Sequence, residues 1–166
     1  MKAKLAPFYL QEYPRLIRQI NRLIAFAPGD PNLALLALFG SAARLTPGPS
    51  SDADLLILLH NERQFHDLTQ IGTGIDLLQM AQDAPRGEWC AWPLSGVTGN
   101  AQASDLDEDF VSNVGQDGVL LYRQAGVTLP PALAGLTPYA VWLERVDRLL
   151  ARCRRMVEAQ AARAAS

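Results

Sequence analysis

Two aspartates set one residue apart, Asp52 and Asp54, stand at the head of a run that at once becomes wholly apolar, Leu55-Leu56-Ile57-Leu58-Leu59. If that run is a strand, alternate side chains share a face, so Asp52, Asp54 and Leu56 point one way and Ala53, Leu55 and Ile57 the other. Two carboxylates then lie side by side, with no Lys or Arg within seven residues on either side. Like charges that close are unfavourable unless water, a cation or distant basic groups stabilise them. A divalent ion that takes one or two carboxylates and keeps the rest of its shell for water and phosphate oxygens is Mg²⁺.

Upstream, with ten residues between Ser41 and Asp52, another apolar run ends in Gly40-Ser41, followed by Ala42-Ala43-Arg44. A strand that ends in Gly-Ser and turns into a helix leaves backbone amides free, and Gly lets a ligand approach the chain closely. With the Ser41 hydroxyl, those amides make an anion site. Ser41 as a plain helix cap and Arg44 as a plain surface cation are the simpler readings of the same residues. A third acid, Asp76, lies inside the apolar run Ile75-Asp76-Leu77. If that strand pairs beside the one carrying Asp54, three carboxylates converge; otherwise Asp76 is an ordinary edge-strand or turn acid. Carboxylates facing a phosphate cradle suit phosphoryl chemistry, in which two metal ions clamp the attacking and leaving oxygens.

The segment Phe39-Gly40-Ser41, ten residues, then Asp52-Ala53-Asp54 resembles the GSx10DxD signature of the minimal nucleotidyltransferases, small members of the DNA polymerase β superfamily. Asp76 in its apolar setting resembles that superfamily's third catalytic acid, and Arg44 the Arg often found after the Gly-Ser pair. Asp117-Gly118-Val119-Leu120-Leu121-Tyr122 resembles its closing strand. The resemblance covers residues 33–122. It implies transfer of a nucleoside monophosphate, usually AMP from ATP, to a hydroxyl on a protein or small molecule, with two Mg²⁺ ions. Gly40, Ser41 and Arg44 would hold the nucleotide; Asp52, Asp54 and Asp76 would be the catalytic and metal-binding acids. Such small proteins are often antitoxins that modify a HEPN-type toxin. The alternative is a catalytically inactive nucleotide- or partner-binding module acting through the C-terminal helix.

The elements that must position these residues follow from periodicity. Phe8, Tyr9, Tyr13, Leu16, Ile17, Ile20, Leu23 and Ile24 recur at helical steps, and Pro28-Gly29-Asp30-Pro31 ends that helix. Strands are expected at 33–39, 53–59, 75–80 and 118–122, and short helices at 62–70 and at 105–114, the latter capped by Ser104. Residues 83–104, with two Pro, three Gly, Trp89 and Trp92, show no period and read as loop with room for one strand. A last helix from about 138 to 164 carries a stripe of Tyr139, Leu143, Val146, Leu150, Cys153 and Val157. That stripe either packs on the protein's own core or docks onto a partner or second copy, making a homo-oligomer. The fold class is α/β (α+β): a small mixed sheet of four to five strands with helices packed on it, the polymerase β-like nucleotidyltransferase fold, and a long C-terminal helix. A nucleotidyltransferase domain spans 1–125; a linker and amphipathic helix, packed on the same domain, span 126–166.

Composition agrees with a globular chain: 166 residues, 49% apolar and 19% charged. Fifteen Lys and Arg against seventeen Asp and Glu argue against a protein that coats nucleic acid. No apolar run approaches a membrane span, and cytoplasmic residence is the default expectation. Six Arg against three acids fall in residues 138–166, which leaves nine cations against fourteen acids in the rest. Cys90 and Cys153 form no CxxC pair, and His60 and His66 have no metal-ligand spacing, so these four read as structural or solvent-exposed groups. Trp89 and Trp92 read as packed aromatics or as a stacking surface for a base.

Overall fold

Leu33–Phe39 is a strand without one polar side chain, and six of its seven residues are buried. A segment apolar on both faces is stable as a strand only where layers cover both sides of its sheet, and this is the place it takes. In the computed structural model, which describes residues 3–31, 33–49, 54–60, 89–93 and 108–165, this strand, β1, is the centre of a five-stranded mixed sheet. The other strands are β2 (Asp54–Leu59), β3 (Trp89–Pro93), β4 (Val119–Arg123) and β5 (Thr137–Pro138), in the order β3-β2-β1-β4-β5. β1 runs antiparallel to β2 and β4, whereas β3 and β5 add on in parallel to β2 and β4. The helices are α1 (Ala6–Phe26), a single turn α2 (Gly40–Ala43), α3 (Glu108–Asp117) and α4 (Tyr139–Ala165).

Strand alternation divides the core into two layers. Leu36, Leu38, Leu55, Ile57, Val119 and Leu121 face α1 and α4, where they meet Tyr9, Tyr13, Ile20, Trp142, Val146 and Leu150. Leu35, Ala37, Leu56 and Leu58 face the other way, onto Val111 and Val114 of α3 and onto Leu133 and Leu136. Leu33 and Leu35 lie in opposite layers despite being two apart, because the β1–β2 register shifts between them.

α1 forms where its helical period predicts, and its buried face is Ala6, Tyr9, Tyr13, Ile20 and Leu23. Pro7 in the first turn lacks an N–H that would have no partner there anyway. The C-terminal helix packs on α1: the Tyr139 hydroxyl donates to Asn21 Oδ1 at 2.9 Å, and the Trp142 ring tilts against Tyr13 at 6.1 Å between centroids. The core face of α4 is Trp142, Val146, Leu150 and Cys153. Tyr139, Leu143 and Val157 of the expected stripe are only half-buried, and Trp142 beside them is fully buried.

The run 83–104 contains the one strand for which it left room, Trp89–Pro93, and that strand lies beside β2. Two expectations change. The helix expected at 105–114 is seen as Glu108–Asp117, ending three residues later. β5 was not expected: its two residues are too few to show a period. The expected helix at 62–70, the strand at 75–80 and the Ser104 cap lie outside the described residues. Among the described residues no helix is long and apolar enough to cross a membrane.

Burial of tyrosines makes stability sensitive to alkali. Tyr139 is pushed up to about 12 by burial. Tyr13 is pushed up further, by burial first and then by neighbouring Tyr9 and Cys153. A phenol near 10 in the unfolded chain but higher in the folded one keeps its full stabilising contribution below about pH 10, and loses it as pH rises through the folded value. The urea midpoint should therefore hold from about pH 7 to 8, begin to fall near pH 9, where the unfolded Cys153 thiol ionises and the buried one resists, and decline further from about pH 10 to 12. Tyr139→Phe should make that decline shallower; an unchanged slope would contradict the assignment.

Candidate active site

β1 ends and β2 begins at the same edge of the sheet, because Phe39 pairs with Asp54 across the antiparallel ladder. Directly opposed residues share a face, and the next residue along β1 is Gly40. A Cβ built there would overlap Asp54 Oδ2 and come within 2.9 Å of its carboxyl carbon. Gly40 also has φ +71°, a left-handed conformation that costs L-residues about 1–2 kcal/mol. Space and backbone geometry independently require glycine. The acid of the Asp-x-Asp pair thus rests against the Gly-Ser turn.

The turn itself is short and held from behind. Arg44 N–H donates to the Gly40 carbonyl at 3.2 Å and Thr46 N–H to the Ser41 carbonyl at 2.9 Å. The next two carbonyls receive buried side chains from both long helices: the Tyr13 hydroxyl reaches Ala42 at 3.3 Å, and the Trp142 indole reaches Ala43 at 3.1 Å. Ala42 and Ala43 are buried while Gly40 and Ser41 remain partly open. Leu45 follows with φ +62°, an outlier for a branched side chain. α1 and α4 therefore fix the turn, and its open side carries Gly40 and Ser41.

Arg44 lies beside this edge with its guanidinium 3.8 Å from the carboxylate of Asp117. Both side chains are about half exposed, 50% and 52%, so the pair contributes no more than about 0–1 kcal/mol. Asp117 is at the end of α3, delivered there by Gly118, whose tight seat leaves 3.2 Å between an added Cβ and the Leu38 carbonyl. Sequence reading placed Asp117 in the closing strand motif and did not pair it with Arg44; a contact across 73 positions leaves no local signal.

The structure thus brings Gly40, Ser41, Arg44 and Asp54 to one edge. Asp52 and Asp76 lie outside the described residues. The strand seen against Leu55–Leu59 is Trp89–Pro93; the run 75–80 that carries Asp76 lies outside the described residues. Among the described residues no group of three His, Cys, Asp or Glu could hold a metal ion. The groups that are described fit a hard cation: the Asp54 carboxylate and the Ser41 hydroxyl offer oxygen donors, the ligand type Mg²⁺ takes. His60 lies at the opposite end of β2, exposed and hydrogen-bonded to Gln124, whose amide donates to the Pro31 carbonyl at 3.2 Å. Cys153 is buried in the α4 core face, and burial pushes its thiol up. His66 falls outside the described residues.

The contact between Gly40 and Asp54 can be isolated by a double-mutant cycle. Gly40→Ala should cost about 1–3 kcal/mol in urea unfolding, combining the left-handed backbone with the displaced carboxylate. In an Asp54→Ala background the same change should cost less, by at least about 0.5 kcal/mol. Strict additivity would contradict the contact.

Residues 21–84 match the family model described as "Polymerase beta, Nucleotidyltransferase". No curated protein matches the chain. Among solved structures, one similar chain comes from a toxin–antitoxin complex with AMP-PNP, at 18% identity and a TM-score of 0.40, covering 89% of this chain and 92% of that one. Another comes from a complex of tri-AMPylated Shewanella oneidensis HEPN toxin with MNT antitoxin, at 16% identity and a TM-score of 0.38, covering 90% and 92%. The family match spans the Gly-Ser turn and the start of β2, the two pieces whose contact builds this edge, and over these residues the chain is similar to the polymerase β nucleotidyltransferases.

Proposed function

We propose that this protein is a Mg²⁺-dependent nucleotidyltransferase that moves a nucleoside monophosphate, AMP from ATP, onto a hydroxyl of a protein or small molecule. Its role is that of an antitoxin to a HEPN-type toxin, the reading that the GSx10DxD resemblance carries. The observation that supports transfer most directly is the Asp54 carboxylate seated against Gly40 at the open face of the Gly-Ser turn.

In this proposal Gly40 and Ser41 hold the triphosphate through backbone amide and hydroxyl donors. Glycine at 40 lets the phosphates come close to backbone. Arg44 supplies positive charge beside the turn; its exposed pair with Asp117 is weak enough to be exchanged for a phosphate oxygen. Asp52, Asp54 and Asp76 hold the metal ions, and Asp76 also takes the proton from the acceptor hydroxyl. When bound, Mg²⁺ neutralises charge on the phosphate oxygens and acidifies the attacking hydroxyl. The acceptor oxygen forms a bond to the α-phosphorus, the bond from that phosphorus to the bridging oxygen breaks, and pyrophosphate departs with the electron pair.

The test uses α-labelled ATP, Mg²⁺ and candidate acceptors, among them a HEPN-type toxin. Asp52→Asn with Asp54→Asn should lower transfer about 100-fold or more, with the urea midpoint close to wild type. Undiminished transfer by that double variant would refute the assignment.

A further inference from the structure

Outside the site, a groove of about 470 Å³ lies between α4 and the loop that follows α2. Arg145, Arg148 and Arg152 line it, with Leu45 and Leu149 as the apolar part of its wall. All three arginines are exposed, and none makes an ion pair among the described residues. Their positions, three and then four residues apart, put three like charges on one helix face, where they repel one another. Leu45 reaches the groove from a left-handed backbone that a glycine would adopt more easily. Glu144 and Asp147 are the acids nearest to these arginines along α4, and neither closes an ion pair with them among the described residues. A cationic wall with a strained apolar residue beside it suits an anionic occupant with apolar groups of its own.

We infer that this groove docks an acidic amphipathic helix of a partner protein. From Arg145 to Arg152 the wall rises about 10.5 Å along α4. Carboxylates three or four residues apart on a second helix repeat with that same rise. Each guanidinium can take a carboxylate through two parallel hydrogen bonds. Leu45 and Leu149 leave room for an aliphatic side chain between the acids, the usual manner in which a helix lies in a groove. A single-stranded nucleic acid fits less well. Among the described residues no aromatic side chain lines the groove to stack a base, and residues 1–137 carry nine cations against fourteen acids, which repels a polyphosphate chain. The indole of Trp142, one turn before Arg145, holds the α2 carbonyl of Ala43. A helix seated here therefore borders the element that carries Ser41.

The experiment measures fluorescence anisotropy of a labelled helical peptide with Glu at three- and four-residue steps and Leu between, added to the full-length protein. Wild type should bind it in a salt-sensitive manner. Arg145→Gln, Arg148→Gln and Arg152→Gln together should weaken binding at least tenfold. Arg154→Gln with Arg155→Gln, which lie outside the groove, should change it less than twofold. Equal loss in both variants would reduce the effect to net charge and overturn the proposal. So would tighter groove-dependent binding of a single-stranded RNA, or a groove-dependent dimer in sedimentation, which would make a second copy the occupant. Asp54→Asn should keep peptide binding intact. Failure of the groove is thereby told apart from failure of the transfer reaction.

Discussion

The carboxylate of Asp54 occupies the volume that any side chain at residue 40 would need, and much of the structure follows from this one exclusion. It makes glycine obligatory where the central strand leaves the sheet. It ties the last residue of β1 to the first of β2, so that the register of that pair and the position of the acid are one constraint. A slip by one residue would turn Asp54 to the opposite face and bring every leucine of β2 into the wrong layer. Packing of the apolar run therefore enforces the placement of a charged group at its head.

The rest of the fold supplies rigidity behind that contact. β1 is buried on both faces and flanked on both edges, so it contributes no mobile part. The single turn of α2 is too short to be stable alone. Its carbonyls are satisfied by Tyr13 from α1 and Trp142 from α4, donors whose rings are themselves in the core. A turn held in this way is preorganised: its open face presents polar groups while its buried face cannot shift without breaking hydrogen bonds in the interior.

Sequence made some of this visible and hid the rest for physical reasons. Leu33–Phe39 and Asp54–Leu59 stood out because strands covered on both faces must be apolar throughout. The Gly-Ser pair and the Asp-x-Asp pair could be linked because their spacing is a motif. β3 was hidden in a stretch without alternation. β5 escaped because two residues carry no pattern. Trp142 was missed because the stripe was traced through Tyr139 and Leu143, although Trp142 stands one turn before Val146 and shares its buried face. The Arg44–Asp117 pair and the arginine groove are assembled from distant segments and leave no local trace.

The central claim is that the edge formed by Gly40, Ser41 and Asp54 holds a metal-bound nucleotide. Mn²⁺ in place of Mg²⁺, titrated with a non-hydrolysable ATP analogue and followed by electron paramagnetic resonance, reports occupancy without requiring turnover. Wild-type protein should bind the ion together with the nucleotide, and Asp54→Asn should lose most of that joint binding while remaining folded. Equal binding by the two proteins would contradict the account.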